Sequence, residues 1–119
     1  MKRDMDVVRE ILLQIESKPD AQLPAELKIE GASDAEISYN VMLLSQAGYI
    51  HAIDASSGEG HHWMALSLTW QGHEFLDAAR NNTVWQSVKT KIKAAGGSFA
   101  IHTVKALLLV EGKRYLGLP

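Results

Sequence analysis

Met5, Val8, Leu12 and Ile15 recur at spacings of three and four residues, so they share one face of a helix. The spacing predicts that helix over residues 4–17. Asp4 and Asp6 suit its positive N-terminal end. Pro19 stops it, because proline lacks the N–H and disfavours helix in the residue before it. Residues 19–32 read as a connector with two prolines and Gly31, in which Leu27 and Ile29 alternate with polar residues as in a short strand. A second helix opens at Ser33, where Ser33-Asp34-Ala35-Glu36 has the form of a capping box. Ile37, Val41 and Leu44 form its buried stripe, and Gly48 supplies a left-handed stop. The opposite face then carries Ala35, Glu36, Tyr39, Met42, Leu43 and Gln46.

Two apolar arms follow, residues 49–55 and 62–68, joined by Ser56-Ser57-Gly58-Glu59-Gly60. The glycines suit a hairpin tip, and Met64, Leu66 and Leu68 alternate inward. Thr69 caps a helix holding Phe75, Leu76 and Ala79, with Gly72 in its first turn. A glycine there costs about 1 kcal/mol against alanine, which a close backbone approach to the hairpin would justify. Asn81-Asn82 breaks and recaps the chain. Val84, Trp85, Val88 and Ile92 carry a further helix to Gly96-Gly97, and Ser98 caps a last one with Phe99, Ile101, Val104, Leu107 and Leu108. The order gives an α+β fold: helix, short strand, helix, β-hairpin wing, then additional C-terminal helices. One domain spans residues 1–119, with 81–119 as a helical extension.

Ile37-Ser38-Tyr39-Asn40-Val41 through Leu44, followed by Ala47-Gly48-Tyr49-Ile50, is similar to the recognition helix and next strand of bacterial winged-helix repressors. Leu68-Thr69-x-x-Gly72 resembles the end of the wing in such proteins, where the chain enters a dimerisation helix. The opening Met1-Lys2-Arg3-Asp4-Met5-Asp6-Val7-Val8-Arg9, with Leu68-Thr69-Trp70-Gln71-Gly72-His73-Glu74-Phe75-Leu76-Asp77, resembles a bacterial and prophage family catalogued as domain of unknown function 2513. The resemblance covers most of the chain. It implies a winged-helix-like fold, in which residues 25–32 supply the helix before the recognition helix, and a bacterial or phage source. It implies no established activity.

Charge changes the picture. The net charge is −2, but residues 1–80 hold six Lys/Arg against 13 Asp/Glu, or −7, while residues 81–119 hold six against Glu111 alone, or +5. The basic end attracts either phosphate or the acidic body of another copy. On the winged-helix pattern, Ser38, Tyr39 and Asn40 are the base-contact candidates, and Lys89, Lys91, Lys93 and Lys105 the phosphate contacts. Against this, the outer face of the second helix has no Lys or Arg, and Asp34 and Glu36 lead it. Leu107-Leu108-Leu109-Val110 makes the last helix apolar all round, which suits burial either inside the fold or by a second subunit, the homodimer being the preferred use.

Other chemistry is sparse. His51, His61 and His62 flank the hairpin as candidate metal ligands, but adjacent strand residues face opposite ways and there is no cysteine. His73 and Asp77, at i and i+4, suit a helix-surface pair more than a catalytic base. No nucleophile elbow, phosphate loop or paired-acid motif accompanies them, so neither an enzyme nor a cofactor is expected. The three tryptophans suit core or interface anchors better than base stacking. The absence of cysteine fits a reducing, cytoplasmic setting, the N-terminus does not read as a signal peptide, and no apolar run approaches the ~20 residues of a membrane span. Two functions stay open. One is a small bacterial or prophage regulator bound to duplex DNA as a homodimer through its C-terminal helices. The other is a protein-interaction module, such as a phage-encoded modulator of a host protein, without DNA contact.

Overall fold

Asp4 opens the first element by accepting from the backbone N–H of Asp6 (2.9 Å) and Val7 (3.2 Å). In the computed structural model of the chain, which describes residues 1–58, 60–97 and 100–119, helix α1 then runs Met5–Glu16. Its buried stripe is wider than the sequence spacing suggests: Val7 and Ile11 join Val8, Leu12 and Ile15. Helix α2 (Asp34–Gln46) has the expected capping box. Ser33 Oγ accepts from Glu36 N at 3.1 Å and Glu36 Oε1 accepts from Ser33 N at 3.4 Å. Ile37, Val41 and Leu44 are buried, and Gly48, at φ +79°, ends the helix. Tyr49 N donates to Leu44 O at 3.0 Å, closing the last turn.

Strands β1 (Ile50–Asp54) and β2 (Trp63–Leu68) form a two-stranded antiparallel sheet. Its register corrects one expectation. His51 pairs with Ser67 but Ala52 pairs with Ala65, which leaves Leu66 as the extra residue of a bulge. That inserted residue flips the alternation for everything before it. Ala65 is therefore the buried residue of β2, and Met64 lies opposite the exposed Ile53. At the tip, Ser57 and Gly60 exchange backbone hydrogen bonds at 3.0 Å; Glu59 lies outside the described residues.

The short strand at Leu27 and Ile29 does not form. Its ladder groups are taken by a side chain: Gln14 of α1 donates to Lys28 O (2.8 Å) and accepts from Lys28 N (3.1 Å). One backbone bond, Ala25 N to Ala65 O at 2.8 Å, ties this segment to β2. Nor do residues 25–32 supply a helix; they close a single turn, Ala32 N to Ile29 O, before Gly31 and Ser33 redirect the chain. The first unit is thus two helices and a two-stranded hairpin, without the helix at 25–32 and the third strand that the winged-helix resemblance implies.

The chain divides into two compact units, Met1–His73 and Glu74–Pro119. In the first, α1 packs on α2 and β2, and α2 packs on both strands. Val8, Ile11, Leu12, Val41, Leu44, Ile50 and Ala65 fill that core; each large aliphatic side chain buried contributes about 1.5–3 kcal/mol. Helix α3 (Trp70–Ala79) carries the chain across the division. The second unit pairs α4 (Asn82–Ala94), capped by Asn81 Oδ1 on Val84 N at 3.0 Å, with α5 (Ile101–Tyr115). Ala100 stands at the α5 cap and makes no side-chain bond; Ser98 and Phe99, expected to open that helix, lie outside the described residues.

Candidate functional site

Helix α2 uses two of its polar residues, Ser38 and Asn40, inside the fold. At about 100° per residue, Asn40 and Ser38 flank the Ile37–Val41–Leu44 stripe, and of these three base-contact candidates Tyr39 alone points away from it. Asn40 is 1% exposed; its Oδ1 accepts from Asp4 N at 3.1 Å and its amide donates to Glu36 O at 2.8 Å. Ser38 is buried, and its Oγ accepts from Trp63 N at 2.8 Å, holding the hairpin edge. Of the three base-contact candidates, Tyr39 alone keeps a half-exposed side chain. From residue 29 to residue 79, a span holding α2, both strands and α3, the chain has neither Lys nor Arg. A face without cations offers nothing to neutralise phosphate.

The lysine candidates lie in the second unit, and they are not equivalent. Lys91 Nζ donates to the buried Glu111, which also accepts from Ser87 Oγ at 3.1 Å and pairs with Arg114 at 3.3 Å. The Lys91 bond holds the Glu111 carboxyl below the usual carboxylate range, against burial, with Ser87, Arg114 and the charge of Lys91 adding to it. Lys91 is therefore already neutralised. Lys93 is exposed, and Lys89 and Lys105 are half-buried. Glu111 was not singled out as a site by its sequence. Its signal was there: it lies three residues after Leu108 and seven after Val104, an acid on an apolar stripe.

The α5 apolar run divides. Leu108 is buried and Leu107 half-buried, whereas Leu109 and Val110 are 50% and 52% exposed. Leu108 belongs to the interior and is withdrawn from any contact between subunits. Around the hairpin, Ser56 holds the Asp54 carboxyl below its ordinary range through its hydroxyl and its N–H (2.9 Å), with His61 adding a smaller push in the same direction. Among the described residues no group of three or more His, Asp or Glu is placed to hold a metal ion. Asp77 pairs with Arg80 at 2.8 Å.

The strand-to-helix junction is closed by three hydrogen bonds and one close backbone approach. Thr69 Oγ1 donates to Gly48 O at 2.5 Å and accepts from Gly72 N at 3.1 Å, while Thr69 N donates to Tyr49 O at 3.0 Å. Gly72 lies against that same Tyr49 carbonyl, so close that a Cβ would overlap its oxygen. This lock presents Trp70 to solvent, 76% exposed, on the first turn of α3. Trp85 is buried and Trp63 half-buried.

A second feature is a groove of about 510 Å³ beside β2. It is lined by residues 24–27, by Asp34, Ile37 and Ser38 of α2, and by residues 62–65.

Two helices on a hairpin, followed by a helical unit, define a small α+β protein with no helix long and apolar enough, among the described residues, to cross a membrane. The family model described as "Hypothetical protein (DUF2513)" matches residues 2–98, and the chain belongs to that family. A protein of Haemophilus influenzae named "Uncharacterized protein" is 44% identical over 108 residues, covering 88% of this chain and 90% of that one. No solved structure matches the chain.

Proposed function

We propose that the chain is a protein-interaction module on a winged-helix-like scaffold, with Trp70 as an anchor of its contact surface. The observation that carries this is a tryptophan 76% exposed and held by the Thr69–Gly72 lock. Rigid exposed aromatics are enriched among residues that dominate protein interfaces. The Lys/Arg-free span 29–79 and the internal use of Ser38 and Asn40 support the same reading over sequence-specific DNA contact. Self-association, where it occurs, uses Leu109 and Val110 of α5.

A second reading rests on the +5 charge of residues 81–119. It is weak, sequence-independent association with duplex DNA through Lys89, Lys93 and Lys105. The test is affinity capture from bacterial lysate, with and without nuclease, using the wild-type chain, Trp70→Ala and Tyr39→Ala. A defined protein retained by wild type and Tyr39→Ala but lost with Trp70→Ala is the expected result. Capture of nucleic acid alone, abolished by nuclease, would overturn it.

A further inference from the structure

We infer that the groove beside β2 docks an extended basic peptide, whose arginine or lysine heads meet the carboxylates of Glu26 and Asp34. This rests on the protein-interaction reading but uses a surface apart from Trp70. Three observations converge. The groove's volume, about 510 Å³, falls within the range of built ligand sites, roughly 300–1,000 Å³. Its lining holds two carboxylates, Glu26 and Asp34, both exposed, and neither side chain has a hydrogen-bond or ion-pair partner among the described residues. No Lys or Arg lines it. The lining also holds Leu27, Ile37, Met64 and half-buried Trp63.

That combination selects the ligand class. A long cationic side chain covers apolar surface with its methylene stem while its head reaches a carboxylate, and an indole face attracts the same cation. Phosphate and acidic peptides are repelled.

The test is an amide-shift titration of the isotope-labelled full chain with a peptide of alternating arginine and leucine, and with its counterpart carrying glutamate for arginine. Expected are shifts at Leu27, Ser38 and Ala65 with the arginine peptide alone, at concentrations up to about 1 mM. The double variant Glu26→Gln/Asp34→Asn should weaken binding about tenfold, the worth of two surface ion pairs. Both residues are exposed and unpaired, so the variant's spectrum outside the groove should match wild type. Trp70→Ala should bind the peptide unchanged, which separates this site from the Trp70 surface: either one can fail alone. Absence of groove shifts, or equal binding by the double variant or by the glutamate peptide, would overturn the inference.

Discussion

Gly72 leaves the fold no room for a side chain. A Cβ there overlaps the Tyr49 carbonyl oxygen, which Thr69 N already holds. Gly72→Ala should cost about 3 kcal/mol from overpacking and return about 1 kcal/mol of helix propensity, a net loss of about 2 kcal/mol in urea melts. Gly112, inside α5 with nothing within 4 Å of its added Cβ, is the control, and Gly112→Ala should gain about 0.5–1 kcal/mol. A gain at both positions would mean the Tyr49 approach is not as drawn. The close approach at Gly72 was legible because a glycine in a first helical turn needs a reason. The roles of Ser38 and Asn40 were not. Their acceptors and donors, Trp63 N, Asp4 N and Glu36 O, come partly from residues far along the chain. Ser38→Ala should cost about 1–3 kcal/mol by stranding the Trp63 N–H.

Among elements, α2 shows how far periodicity reaches. Its stripe and both ends read correctly because capping boxes and glycine stops are local chemistry. Leu44→Ala should cost about 2–5 kcal/mol, and Met42→Ala, at a half-exposed position, about 1 kcal/mol or less. Equal losses in denaturant melts would mean the helix phase is wrong. Strand β2 shows where periodicity stops, since the bulge at Leu66 reverses the face of Met64, and nothing local announces it. The missing strand at Leu27 fails for a similar reason: Gln14, on another element, takes the Lys28 backbone groups. Between α4 and α5, Glu111 makes stability depend on pH. Its folded pKa lies below its unfolded one, so its contribution is fully present above the unfolded value and is lost as pH falls through the folded value. Thermal melts over acid pH should show wild type losing more stability than Glu111→Gln as the carboxylate protonates. Parallel curves would remove Glu111 from that role.

For the whole molecule, charge is partitioned along the chain, with −7 over residues 1–80 and +5 over 81–119. That asymmetry was plain in the sequence, but its meaning was not, because the ion pair of Lys91 with Glu111 is visible only once α4 and α5 pack. The apolar run of α5 was plain as well, yet packing alone separates buried Leu108 from exposed Leu109 and Val110. Under the proposed use of α5, Leu109→Lys/Val110→Lys should shift any self-association seen by sedimentation toward monomer without lowering the melting temperature. The larger question is whether α2 and the hairpin read DNA. Fluorescence anisotropy with random and genomic duplexes across a salt series tests this most directly. Expected is binding no tighter than roughly 1 µM at physiological salt, equal for all sequences, reduced by replacing Lys89, Lys93 and Lys105 and unchanged by Tyr39→Ala. A tight complex with one sequence, weakened by Tyr39→Ala but not by the lysine changes, would contradict the interaction-module reading and make α2 a recognition helix.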